Sequence, residues 1–367
     1  MTAASQDLDT AVAGVRAQAF CVPTDRHESD GTLEWDSTTL VLVEVEAGGK
    51  QGIGWTYGAE ATAWIVENEL ADVVSGRPVM DVGGAQLAMR AALRNSGYPG
   101  AGAAAVSAVD VALWDLKAKL LDVSLVSLLG AIHDAVPVYG SGGFCSYTDR
   151  ELADQLGGWI EQGIPRVKMK VGRQPERDSE RVRVAREAVG PEPELYVDAN
   201  GALSVRGATR SAIRFAEYDV SWFEEPVSSL DREGLRMLRS LVPRGMDIAA
   251  GEYAYTPEDF RDLVGAVDCL QADVTRCGGI TGLLAAAAVS AANEVDLSGH
   301  TAPGIHAHVL CAVPRLRHLE WFHDHVRIER LFFDGFLEPT DGELRPDRSR
   351  PGLGLELRRS DAERYAV

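Results

Sequence analysis

Seven short runs decide how this chain is read: VKMK (167–170), LYVDAN (195–200), WFEE (222–225), IAAGE (248–252), CLQAD (269–273), VDLSGH (295–300) and HLEWF (318–322). Each is apolar or β-branched, is bounded by turn residues, and carries a charged residue or histidine at or near its end. Those residues are Lys170, Asp198, Glu224, Glu252, Asp273, His300 and Glu320, spaced by 28, 26, 28, 21, 27 and 20 positions. Such a step fits one strand, one helix and two short loops. Helix-like stretches such as ERDSERVRVAREAVG (176–190) and ITGLLAAAAVSAAN (280–293) fill the intervals. Alternating strands and helices at this period make a parallel barrel or a parallel open sheet. Ionisable residues repeated at strand C-termini favour the barrel, whose chemistry sits on that rim. Taken singly, each would be an ordinary loop charge.

Outward from these runs, AVPVYGS (135–141) supplies the first barrel strand and DRELADQLGGWIEQG (149–163) the first crossover helix, with Asp149 as N-cap and Gly163 at its C-terminal end. Before them, two strand-like runs between Val15 and Glu46 flank the polar segment PTDRHESDGTLEWDS (23–37), read as a loop. AGGKQG (47–52) is a hairpin turn, IGWTYG a third strand, and a helical zone runs from Glu60 to about Leu129. Residues 1–14 read as a loose leader, and the Pro- and Gly-containing tail from Phe336 to Val367 as returning to the first domain.

The 367 residues suffice for a large barrel and a smaller domain. A net charge of −19 disfavours nucleic acid and anionic membranes as partners, so an anionic substrate needs a local cation. Cys21, Cys145, Cys269, Cys277 and Cys311 show no paired spacing, as in a reducing cytoplasm. No signal peptide and no apolar run long enough to span a bilayer are visible, so a cytoplasmic location is expected.

The chemistry resides in the strand ends. Lys168 and Lys170 lie two apart, so both ammonium groups point into the barrel mouth. Mutual repulsion and burial are expected to lower one of their pKa values, giving a base. Asp198, Glu224 and Glu252 end neighbouring strands and converge on a point where a divalent cation, Mg²⁺ by default, relieves their repulsion. Alternation within Glu224–Glu225 lets only one of them be a ligand; Glu224 is chosen, with Glu225 expected behind it. Asp273 beside His300 fixes the imidazole tautomer and leaves the other nitrogen for acid/base work. Glu320 reads as a protonated hydrogen-bond donor to a substrate carboxylate or as a plain ionised acid. His306 and His308 on one helix lack a third nitrogen or sulfur ligand; His323, Asp324 and His325 line the pocket or are solvated.

As an ordered set, ALWDLKAKLL, VKMKVG, VDANGA, WFEEPV, AAGE, QADVTRCGGIT, the histidine of LSGH, and HLEWF resemble the enolase superfamily in its mandelate racemase subgroup, over nearly the whole chain. The resemblance implies an α/β fold, a modified TIM barrel (β/α)7β (133–335) under an α+β capping domain formed by residues 1–132 and the tail 336–367. It implies Mg²⁺ on Asp198, Glu224 and Glu252, Lys168 on the substrate carboxylate, Lys170 and the His300–Asp273 pair as acid/bases on opposite faces, and Glu320 as the acid stabilising the enolate. Loops around 23–35 and 56–59 correspond to specificity loops, with Asn200, His27, Trp35 and Tyr57 as substrate contacts. An assembly of an even number of identical subunits is expected. The implied reaction is removal of a proton α to a carboxylate. The polar 23–37 segment favours dehydration of a sugar acid, an aldonate or aldarate, to a 2-keto-3-deoxy acid, although Trp35 and Trp55 cut against a polar cover. The alternatives are racemisation or epimerisation of a 2-hydroxy acid, or a barrel that binds without turnover.

Overall fold

A computed structural model describes residues 10–367. The leader expectation lies largely outside them, but within them Val12 is buried and its backbone bonds to Arg77 and Gly76. Three antiparallel strands follow: β1 (Gly14–Ser29), β2 (Glu34–Ala47) and β3 (Lys50–Tyr57). The polar segment 23–37 is therefore mostly strand and not loop. After a bulge between Pro23 and Glu28, the ladder resumes with Glu28 opposite Trp35. Asp30 Oδ1 accepts from the amides of Thr32 and Leu33, both at 2.6 Å, which closes the tip as an Asx turn. The segment misleads because its side chains are polar on both faces: it is an arm standing clear of the sheet, so no apolar alternation marks it.

The helical zone breaks into several helices, of which Ala101–Leu120 is the longest and the most buried. Its small residues let β3 approach closely: a Cβ on Gly54 would lie 2.2 Å from Ala108 O. Asp115, buried on this helix, accepts from Ile53 N (2.8 Å) and, from the tail, Leu353 N (2.7 Å). The tail also bonds at Leu125 N→Gly352 O (2.7 Å) and Val367 N→Ala19 O (3.2 Å), which places it against the N-terminal sheet.

Eight parallel strands make the barrel: β4 (Val136–Gly142), β5 (Arg166–Lys170), β6 (Glu194–Asp198), β7 (Val220–Glu224), β8 (Asp247–Ala250), β9 (Cys269–Ala272), β10 (Asp296–Gly299) and β11 (Leu316–Phe322). Pairing of β11 with β4 closes it. Each of the first seven is followed by a crossover helix, the (β/α)7β pattern. The first crossover helix is capped by Thr148 and not Asp149, because the Thr148 hydroxyl and the Glu151 carboxylate satisfy each other's backbone amides. Gly163 follows its end at φ +83°. Inside the barrel, Tyr139, Tyr196, Trp222 and His318 form an aromatic floor beneath the charged rim. After β11, the helix His323–Phe332 ties barrel to cap: Glu329 accepts from Trp55 Nε1 (3.0 Å), Tyr57 Oη (3.1 Å) and Gly304 N (2.8 Å). Among the described residues, no helix is long and apolar enough to cross a membrane.

The Asp115 junction gives the fold a direct test. Asp115→Ala leaves two buried amides unsatisfied and is expected to cost about 3 kcal/mol in urea unfolding. A loss below about 1 kcal/mol would show that water or rearrangement replaces the carboxylate.

Candidate active site

Strand register builds the site. Parallel pairing sets Lys170 beside Asp198 and Asp198 beside Glu224. Glu252 lies two residues past β8, after Gly251, where φ is +138° and a Cβ would meet Gln271 O at 2.2 Å, so only glycine permits the turn. Asp198, Glu224 and Glu252 are all buried, and each offers an oxygen within 4.8 Å of the others. Lys168 Nζ reaches Glu224 Oε1 (2.6 Å) and Glu320 Oε1 (2.8 Å); Lys170 Nζ reaches Asp198 Oδ2 (2.5 Å).

These contacts correct the expectation of a lowered lysine pKa. Burial opposes the charge on both lysines. For Lys168 the carboxylates Glu224, Glu320 and Asp198 outweigh burial, and for Lys170 chiefly Asp198 does, against repulsion from Lys168. Both end well above the usual lysine value, because each has a carboxylate nearer than its fellow ammonium. Glu224 is raised, by burial first and Asp198 second, against Lys168. Glu320 shows the reverse: burial raises it, but Lys168, His300 and Lys170 hold it low, so it is a carboxylate here and not a proton donor.

Glu224, and not Glu225, joins Asp198 and Glu252 in the carboxylate cluster. The strand ends at Glu224, and Glu225 takes a left-handed φ of +34° that turns its carboxyl back toward the cluster. Burial and then Glu252 and Asp198 raise its pKa well above normal, and its Oε1 has no hydrogen-bond partner.

The histidine pair forms as expected: His300 Nδ1 lies 2.8 Å from Asp273 Oδ2. Nε2 faces the mouth, 3.2 Å from Glu252 Oε2 and 3.5 Å from Glu320 Oε2. Burial lowers the imidazole's affinity for a proton, but Glu252, Glu320 and Asp273 overcome it and lift its pKa to about 10. Two further residues hold this corner. Arg276 bridges Glu252 (3.2 Å) and Asp273 (3.4 Å). His306, weighed above only as a metal ligand, contacts Thr301 O through Nδ1 (2.7 Å) and accepts from Val274 N at Nε2 (3.1 Å), pinning the loops after β9 and β10 together. Thr301 and Ala302 both sit at left-handed φ, +54° and +41°, so that turn is strained and held by tertiary contacts.

The arm of residues 23–37, a lid over this rim, seats its tip on the loops after β5 and β6. A Cβ on Gly31 at its tip would lie 2.3 Å from Ala199 O and 2.8 Å from Val171 O. Of the expected substrate contacts, Asn200 lies at this junction with Oδ1 unpartnered. Tyr57 is buried and stacked on His325 at 3.3 Å between centroids. Trp35 donates to Glu28 Oε2 at 2.9 Å. His27 turns outward to Glu34 at 3.6 Å and is not brought together with the others. Glu28, one polar residue of the 23–37 segment, is fully buried, and His325, expected to line the pocket or to be solvated, is buried as well.

The donor set fits a hard divalent cation: it consists of carboxylate oxygens, with neither nitrogen nor sulfur among the three. Around them six carboxyl groups (Asp198, Glu224, Glu225, Glu252, Asp273, Glu320) crowd against four cations (Lys168, Lys170, Arg276 and protonated His300), and burial with mutual repulsion pushes Glu224 and Glu225 toward their neutral forms.

Comparison with known proteins agrees with this geometry. Residues 151–362 match the family described as Enolase C-terminal domain-like, and residues 17–130 match the Mandelate racemase / muconate lactonizing enzyme, N-terminal domain. An L-rhamnonate dehydratase of Saccharopolyspora erythraea is 34% identical, over 86% of this chain and 83% of its own. The crystal structure of a mandelate racemase/muconate lactonizing enzyme-like protein from Rubrobacter xylanophilus superposes with a TM-score of 0.96 at 56% identity, covering 97% of this chain and all (100%) of that one. A racemase from Streptomyces coelicolor A3(2), solved with bound magnesium, has a TM-score of 0.91 at 31% identity, covering 97% and 100%. The chain belongs to the enolase superfamily, in its mandelate racemase and muconate lactonizing enzyme group.

Proposed function

We propose that this protein is a Mg²⁺-dependent hydro-lyase that removes the proton α to the carboxylate of a sugar acid and expels the β-hydroxyl, giving a 2-keto-3-deoxy acid. The observation that carries the proposal is one mouth holding three converging carboxylates with a proton carrier on either side. Lys170 stands on β5 and His300 just past β10, three strands apart around the closed barrel through β4 and β11. Asp198, Glu224 and Glu252 would hold the Mg²⁺. When bound, the ion supplies positive charge where the enediolate's oxygens become negative.

The chain's own residues do the rest. Lys168 carries the cation that an anionic substrate needs in a protein of net charge −19. Lys170 and His300 owe their raised proton affinity largely to Asp198 and Glu252, so each can give up its proton once those carboxylates are engaged elsewhere. One then takes the α-proton. His300, protonated, delivers a proton to the departing β-hydroxyl, which leaves as water, and the resulting enol becomes the 2-keto group. Glu320, released from Lys168 when that ammonium turns to the substrate, regains the proton affinity that burial favours and becomes a hydrogen-bond donor. Asp273 and His306 act through His300 by fixing its position. The same opposed pair would serve a racemase or epimerase, in which one side takes the proton and the other returns it. The polar lid favours the dehydratase reading. As in the resemblance, a symmetric assembly of an even number of subunits is part of the proposal.

A panel of aldonates and aldarates, assayed for 2-keto acid, tests the reaction. We expect turnover by at least one, abolished by EDTA and restored by Mg²⁺. α-Deuterium exchange in D₂O without loss of water, across the panel, would replace dehydration with racemisation.

Substitution separates the two sides. Lys170→Ala and His300→Asn should each lower kcat by about 10³-fold or more. The variant that keeps the α-proton base should still exchange deuterium with substrate while forming no product. Retention of full turnover by either variant would remove that residue from the mechanism.

A further inference from the structure

Resting on the sugar-acid reading, we infer that the far end of the chamber receives an uncharged, hydroxylated chain, so that the enzyme takes monocarboxylate aldonates and rejects dicarboxylate aldarates. A row of packed side chains leads away from the acid/base end. Phe322, two residues beyond Glu320 on the same strand face, has its ring 5.9 Å from Lys170 Nζ. The edge of that ring meets His325 at 5.2 Å, and its other neighbour is Phe144 at 5.8 Å. Trp35 of the lid packs on Phe144 at 5.6 Å and holds Glu28. The seated lid tip fixes this arrangement, because Gly31 is wedged against Ala199 and Val171. On this inference, a substrate whose carboxylate meets Lys168 lies along that row, past Phe322 toward His325, Trp35 and Glu28.

The groups met there suit hydroxyls. Glu28 Oε1 and His325 Nδ1 are both buried without a hydrogen-bond partner. Both groups are neutral near pH 7: burial and then Asp324 push Glu28 up to about 10, and burial pushes His325 down to about 3. Glu28, its proton turned to Asp324, leaves Oε1 to accept, and the neutral imidazole of His325 can donate or accept, which together match a hydroxyl.

The same region is hostile to a second carboxylate. Asp25, Glu28 and Asp324 already bring three carboxyl groups to the lid and rim, with Asp25 against His323 at 3.1 Å. The cations nearby are engaged: Arg26 with Glu151, Arg173 with Glu34 (2.6 Å), and Arg327 with Asp324 (3.1 Å). A distal carboxylate would be buried beside acids without a counter-cation, whereas a terminal hydroxyl finds partners.

The test is kcat/KM of the Mg²⁺ holoenzyme for matched pairs: D-gluconate against D-glucarate, D-galactonate against galactarate, and the corresponding pairs of other configurations. For whichever configuration is turned over, the aldonate should be favoured by about tenfold or more. Equal or better use of the aldarate overturns the inference and leaves sugar-acid dehydration standing. No turnover of any pair by Mg²⁺-loaded enzyme overturns both. Glu28→Ala removes one hydroxyl partner and should raise the aldonate KM about fivefold with kcat changed less than about twofold. An unchanged KM in a variant of unchanged Tm removes Glu28 from the chamber.

Discussion

Everything at the barrel mouth depends on a surplus of buried carboxylate over buried cation. Asp198, Glu224, Glu252 and Glu320 cannot share a space this small as bare anions. In the structure, Lys168, Lys170 and His300 balance most of their charge, at contacts of 2.5 to 3.2 Å. That balance explains why both lysines and the histidine hold protons more tightly than usual, and why Glu320 holds its proton less tightly. It also gives the site its reactivity. Groups whose protonation is set by neighbouring charges change it when those charges are engaged, and a substrate carboxylate and a divalent cation both engage them.

The fold exists, in functional terms, to keep this imbalance dry and in register. Parallel pairing aligns Lys170, Asp198 and Glu224 without help from loops. The less regular positions need special backbone: Gly251 ahead of Glu252, left-handed Glu225, and strained Thr301–Ala302 after His300. The cap adds the lid, and Glu329 and Asp115 tie cap, barrel and tail together through buried hydrogen bonds. Beneath the charges, the aromatic floor of Tyr139, Tyr196 and Trp222 excludes water from below.

Much of this was legible in the chain because strand ends recur at a fixed period. The barrel, its eight strands and the identities of the rim residues follow from the spacing and from the ordered motifs. What was not legible depends on non-local geometry. The sign of the lysine shifts turned on whether carboxylate or ammonium lay nearer, which no spacing encodes. The left-handed turn at Glu225, which keeps its carboxyl near Glu252 and Asp198, comes after the strand's end and no alternation encodes it. The 23–37 arm reads as a loop because the residues it buries, Glu28, Ser29 and Asp30, are polar and consecutive and print no apolar period of two. The weight of Glu28 and His325 comes from Trp35, Asp324 and Tyr57, which meet them only in the folded chain. The Thr148 cap was a local miss, where a capping box beginning one residue earlier outcompeted Asp149.

The most direct measurement is a titration of the full chain with Mn²⁺ as a paramagnetic stand-in for Mg²⁺, followed by electron paramagnetic resonance, in parallel with Asp198→Asn and Glu224→Gln. The account predicts one tightly held ion per chain, displaced by Mg²⁺ and lost in both variants. An ion bound equally well by both variants, or no tight ion in the unaltered protein, would contradict it.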